Sequence, residues 1–201
     1  MASNAAREFF AARARAGLLV AAATCPAPSS DAVEHKAACL HAALAQMVAA
    51  WEAYLERLVR EVQAKLTDPS QVRLAAVHAL LSNLTEAELK RFNTPNADNS
   101  RTLLLTYTGY DCINDWHWPV GGLNAMQTRN RVNEILRVRH GFAHGFALPS
   151  GLTWARDRSG NTRLSVASLS DVGRLFAHLV RVTDREMASH LTTVFGVRKP
   201  W

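Results

Sequence analysis

Between Asp31 and Leu66 the chain runs without a proline or glycine, and Leu40, Leu44, Met47, Trp51, Tyr54, Leu55, Leu58 and Val62 recur there at three- and four-residue steps. That spacing lays one apolar stripe along a long helix. Asp31 and Glu34 form a capping-box-like start for it. About 35 residues at 1.5 Å each make roughly 50 Å, somewhat more than the width of a compact domain of this size, so the helix either bends or projects an end. It is the scaffold on which the rest of the chain must pack.

The flanking segments read mostly as further helices. A first helix is expected from about 4 to 23, stopped by Cys25-Pro26-Ala27-Pro28, where two prolines impose an extended linker. After Thr67-Asp68-Pro69-Ser70, Ser70 can cap a helix over about 71–82, and Thr85 with Glu88 suggests a separate short one ending near Arg91. Phe92 to Ser100 is turn-rich, Ser100 is the expected cap of a helical Thr102–Tyr107, and Trp116-His117-Trp118-Pro119 with Gly121-Gly122 forms an aromatic loop. A helix resumes from about Asn124 to Phe142. Leu152-Thr153-Trp154 and Leu164-Ser165-Val166, flanking the polar Asp157–Asn161, read as one β-hairpin. A final amphipathic helix restarts over Ser168–Asp171 and continues to about Val194. The expected fold is all-α: a helical bundle with a long scaffold helix and one small β-hairpin insertion. It forms one domain over 1–201, with an N-terminal helix and linker over 1–28 and a core bundle over 30–195.

The 201 residues, 48% apolar and 20% charged, exclude a disordered or low-complexity chain and suffice to bury a core without disulfide or metal staples. The net charge is +6, and 19 of the 23 basic residues are arginine. Arginine's planar fork grips phosphate with paired hydrogen bonds, so the balance leans towards an anionic partner such as RNA; a GC-rich genome would enrich Arg and Ala equally well. Cys25, Cys39 and Cys112 fit no paired zinc or redox spacing and read as reduced thiols of a cytoplasmic protein. No apolar run is long enough to span a membrane. Ala16–Thr24 imitates a secretory signal, but its apolar core is short and Glu8 lies in the would-be basic region, so it reads as part of the first helix.

The chemically informative stretch is Arg129–Gly145, RNRVNEILRVRHGFAHG. On a wheel of 100° per residue, Val132, Ile135, Leu136, Phe142 and Ala143 all fall within about 60° of Arg139, which is therefore centred on an apolar arc. A guanidinium there must pair with a carboxylate such as Glu52, bind an anion or face an interface. His144 is about 140° away unless the helix ends or distorts near Gly141, a break that Gly141 and Gly145 make plausible, or unless a second chain supplies the partner group. His140 and His144 stand i, i+4, which is also a spacing of metal ligands. With no Glu in an H-E-x-x-H position and no third ligand, no metal is expected.

Arg139-His140-Gly141-Phe142-Ala143-His144, followed by Gly145, resembles the motif of HEPN superfamily ribonucleases: an Arg, a polar residue, three further residues and a His. The segments Ala49–Leu55 and Phe92–Asn96, with the last amphipathic helix, are similar to the RiboL-PSP-HEPN subgroup over about 30–195. The resemblance implies a HEPN-like bundle and a metal-independent, cofactor-free RNA endonuclease, working as a homodimer with a composite site. His144 would take the 2′-hydroxyl proton, Arg139 would neutralise the transition-state charge and His140 would orient Arg139 or itself titrate. The products would be a 2′,3′-cyclic phosphate and a 5′-hydroxyl. Glu52 is the candidate acidic residue holding the arginine. The biological setting it implies is the toxin or effector of a bacterial toxin–antitoxin or anti-phage system, with an antitoxin or defence-complex partner.

Arg129, Arg131 and Arg137 would extend a positive path for an RNA backbone, and Trp116, His117 and Trp118 could stack bases or simply close a core. There is no Walker loop, G-x-G-x-x-G or G-x-S-x-G, so nucleotide hydrolysis, dinucleotide redox and serine-hydrolase chemistry lack support. The competing function is a non-catalytic module of the same fold that binds RNA, nucleotide or a partner protein.

Overall fold

A computed structural model describes residues 1–25, 32–67, 72–145, 149–156 and 159–201. Its helices, in chain order, are α1 (Asn4–Ala22), α2 (Ala32–Leu66), α3 (Ala75–Leu89), α4 (Ala97–Thr108), α5 (Ala125–Ala143) and α6 (Val166–Phe195). Single 3-10 turns occur at Val72–Leu74, Cys112–Asn114 and Pro119–Gly121. None of the helices among the described residues is long and apolar enough to cross a membrane.

Every residue of the α2 stripe, from Leu40 to Val62, is buried. By contrast, residues 32–38 are exposed throughout, so the long helix projects its N-terminal turns beyond the bundle. The expected cap Asp31 lies outside the described residues. α1 packs along α2 and α6, adding Ala5, Phe9 and Ala16 to the same core. Its N-cap, Ser3, accepts from the Ala6 N–H (2.9 Å), while the Ser3 N–H (3.1 Å) and hydroxyl both donate to the buried Asp184 carboxylate of α6. One serine thus satisfies a helix start and ties it to another helix.

The two helices expected between 71 and 91 are a 3-10 turn followed by one helix, α3. Thr85 caps nothing. Its hydroxyl donates back to the Leu81 carbonyl (2.9 Å) and accepts from the Gln63 amide, and no Pro or Gly is present to stop the turn. Ser70 lies outside the described residues. α4 starts earlier than expected because Asn96, not Ser100, is its N-cap, accepting from the Asn99 N–H (2.8 Å); Ser100 is buried within the helix.

The expected β-hairpin is not formed, and there is no β-strand among the described residues. What remains is one antiparallel bridge between Arg156 and Thr162, with the Arg163 N–H donating to the Ala155 carbonyl (2.8 Å). Two local interactions account for this. Ser165 and Ser168 form a capping box, so Val166 opens α6 instead of continuing a strand. The Arg156 guanidinium donates to the carbonyls of Gly151 (3.0 Å) and Leu152, occupying groups that a ladder would need. Asp157, in the expected turn, lies outside the described residues.

The centre of the core is aromatic. Trp51 stacks on Tyr54 and Phe176 and meets Trp116 edge-on, with ring centroids 5.4–5.6 Å apart. Trp116 is fully buried and donates from Nε1 to the Thr183 hydroxyl (2.9 Å), and Trp118 is buried over Gly121, where a Cβ would come within 2.2 Å of the indole. Neither tryptophan is open to stack on a base, so the aromatic loop closes the core.

Candidate active site

α5 carries the motif, and its own sequence fixes both ends. Asn124 and Gln127 make a reciprocal capping box (2.9 and 3.0 Å). Partway along, Asn133 Oδ1 accepts from the Ala97 N–H (2.8 Å), joining the start of α4 to α5. The helix continues through Gly141, which is buried, and ends at Ala143. His144 is the C-cap, its N–H donating to the His140 carbonyl (3.1 Å), and Gly145 takes the left-handed conformation at φ +68°. Of the two glycines at which a break is plausible, Gly141 lies inside the unbroken helix and Gly145 stops it after His144.

The i, i+4 spacing brings the two histidines together on this last turn. The His140 and His144 rings lie 4.3 Å apart, and both residues are exposed. Arg139 is half-buried and not the centre of a covered face: Val132, Ile135, Leu136 and Val138 are buried, whereas Phe142 is 46% exposed and Ala143 is open. The apolar arc is thus covered by its own bundle for most of its length, and the motif end emerges at the surface. Among the described residues, no three His, Cys, Asp or Glu side chains are grouped so that they could hold a metal ion.

Glu52, on α2, is half-buried and lies within electrostatic range of Arg139, although no direct ion pair joins them among the described residues. Burial and then the neighbouring Glu56 push its carboxyl above the ordinary range, and Arg139 pulls it back. A carboxyl whose folded-state pKa is raised adds stability that is present below the unfolded value and is lost as pH rises through the folded one. Glu52→Gln is therefore expected to be more stable than the parent chain near neutrality, with the difference vanishing in acid below about pH 4. In an Arg139→Ala background the neutral-pH difference should widen. Urea titrations at the two pH values read both effects, and no pH dependence of the difference would contradict this coupling.

His41, on α2, is a neighbour the sequence did not single out. Its ring stacks on Phe142 with centroids 3.9 Å apart and planes within 5°, and its Nδ1 is buried without a hydrogen-bond partner among the described residues. Burial lowers its pKa, which favours the neutral ring near pH 7. Nothing in the α2 stripe marks His41, because the contact depends on where α5 ends.

The proposed positive path is divided. Arg129 pairs with Asp98, and Arg131 is half-buried, donating to the Thr153 hydroxyl (3.2 Å) and pairing with Glu134 at 3.8 Å. Burial also lowers the Arg131 pKa. Arg137 is exposed. Two of the three arginines are thus engaged with partners inside the protomer. No family model, curated protein or solved structure matches the chain.

Proposed function

We propose that the chain is an RNA endonuclease acting through the 2′-hydroxyl of its substrate. The observation that carries this is the exposed His140–His144 ring pair at the open end of α5, immediately after a half-buried Arg139. It adds to the motif's resemblance to HEPN ribonucleases. A neutral His144 takes the 2′-hydroxyl proton, the oxygen attacks the adjacent phosphorus, and the 5′-oxygen leaves with a proton from a second donor. Arg139 neutralises charge on the phosphorane-like transition state, and Glu52, across from it on α2, is a positioning residue. No metal or cofactor takes part. The products are a 2′,3′-cyclic phosphate and a 5′-hydroxyl.

The second proton-transfer position comes from a second copy of the chain, in a two-fold dimer whose motifs share one cleft. The exposed Phe142 and Ala143 beside the motif offer apolar surface for that contact. The setting we infer is a cytoplasmic toxin or effector, restrained by an antitoxin or defence-complex partner. Expression of the chain in a bacterium followed by mapping of RNA ends tests this reading. New cyclic-phosphate and 5′-hydroxyl ends are expected, and they should be absent with His144→Ala. Equal ends from both chains, or none from either, would leave a binding module.

A further inference from the structure

A cavity of about 680 Å³ lies between the projecting N-terminal turns of α2 and the start of α6, within the size range of small-molecule sites. Its lining is chemically mixed. Lys36, His41, Arg156 and Arg163 supply cationic or imidazole groups, and no Asp or Glu lines it among the described residues. Thr162 adds a hydroxyl, and Ser165, the N-cap of the 30-residue α6, brings the positive end of a long helix. Among these, Val33, Ala37 and Leu40 of α2, with Leu164, form an apolar wall.

Two details suggest a built site. Arg156 is held by its bonds to the Gly151 and Leu152 carbonyls, so its charge is fixed before any ligand arrives. His41 belongs both to the cavity wall and to the Phe142 stack, so the cavity reaches the last turn of α5 on the face about 160° round the helix from His140 and His144.

We propose that this cavity binds one nucleotide unit of a single-stranded RNA, its phosphate on Lys36, Arg156 and Arg163 and its base against the Val33, Leu40 and Leu164 wall. A phosphate alone would leave the apolar wall unused, and an apolar ligand alone would leave the cations unmatched. The inference rests on the nuclease reading and deepens it, supplying a seat for a nucleotide of the bound strand away from the scissile bond. A free mononucleotide shares this chemistry and is the competing source.

The test measures binding of a fluorescent single-stranded decaribonucleotide and of AMP to the His144→Ala chain, so that cleavage plays no part. Lys36 and Arg163 are exposed, and their side chains make no hydrogen bond or ion pair among the described residues, so Lys36→Ala with Arg163→Ala should leave the fold intact. This double variant is expected to weaken RNA binding about tenfold and to flatten its salt dependence. Ala37→Phe, which fills the cavity without changing charge, should weaken binding at unchanged salt dependence. Lys90→Ala with Arg91→Ala, an equal charge loss at the end of α3, should do neither. Unchanged RNA binding in the cavity variants, or an equal loss in the α3 control, overturns the site. Loss of AMP binding alone would assign the cavity to a free nucleotide and overturn the strand assignment. Cavity-dependent RNA binding by a parent chain that cleaves nothing would instead leave the site standing and remove the nuclease reading.

Discussion

His144→Ala is expected to slow RNA cleavage by about 10² to 10⁴ while leaving RNA affinity close to that of the parent chain, the signature of a lost proton-transfer group. His144 is an exposed C-cap, and its backbone makes the helix-ending bond whether or not the ring is present. Arg139→Ala should lose a comparable factor, about 10² to 10³, through lost stabilisation of transition-state charge. Its stability cost should be modest, since the side chain is only half-buried. Arg139→Lys should recover little, because a point charge does not reproduce the paired hydrogen bonds of the fork. Mixing the two alanine variants tests the shared cleft in the same assay. The mixed dimer keeps one copy of each residue and should recover part of the rate. Single-turnover rates with parallel binding measurements separate these effects, and parental rates in both alanine variants would remove the motif from the chemistry.

The largest effect on stability is expected from Trp51→Ala, at about 3–5 kcal/mol, in keeping with large-to-small substitutions in packed cores. Trp51 is fully buried against Tyr54, Trp116 and Phe176, so its loss opens a cavity among rigid rings. It also removes the Nε1–H donor to the Pro95 carbonyl (3.1 Å), leaving that acceptor without its partner. The loss would be a large share of the 5–15 kcal/mol that ordinarily separates folded from unfolded states. Its reach extends towards the site: the Pro95 carbonyl fixes the segment leading into α4, and the Ala97 N–H bonds Asn133 of α5. Activity should therefore fall with the folded fraction, and Trp51→Phe, which keeps a ring but not the donor, should be intermediate. A denaturant midpoint within error of the parent's would contradict this account of the core.

The α2 stripe was legible because its cause is local: an uninterrupted run with a regular apolar period buries that face wherever the helix packs. The expected hairpin and the expected split of α3 fail for a related reason. Alternation around Trp154 and Val166 suits a strand, yet the Ser165–Ser168 box and the Arg156 bonds to nearby carbonyls are stronger local commitments. Thr85 has the residue type of a cap but forms its bonds inside the helix. At the site, a helical wheel put Arg139 at the middle of an apolar arc, but a wheel does not know where the neighbouring helices stop. Towards its C-terminus α5 loses its cover, leaving Phe142 half open and stacked on His41. The i, i+4 pairing of His140 and His144 was readable from spacing alone. The cavity was not, since it joins Lys36 to Arg156 and Arg163 across more than a hundred residues.

The decisive comparison is between cleavage of a short RNA by the purified chain in the presence of a chelator and cleavage of the same strand carrying a single 2′-deoxy nucleotide 5′ to the scissile phosphate. Attack by the internal 2′-hydroxyl predicts that the ribose strand is cut with chelator present, that it ends in a 2′,3′-cyclic phosphate, and that the deoxy strand remains intact at that position. Cutting of the deoxy strand there, or strict dependence on a divalent ion, would contradict it.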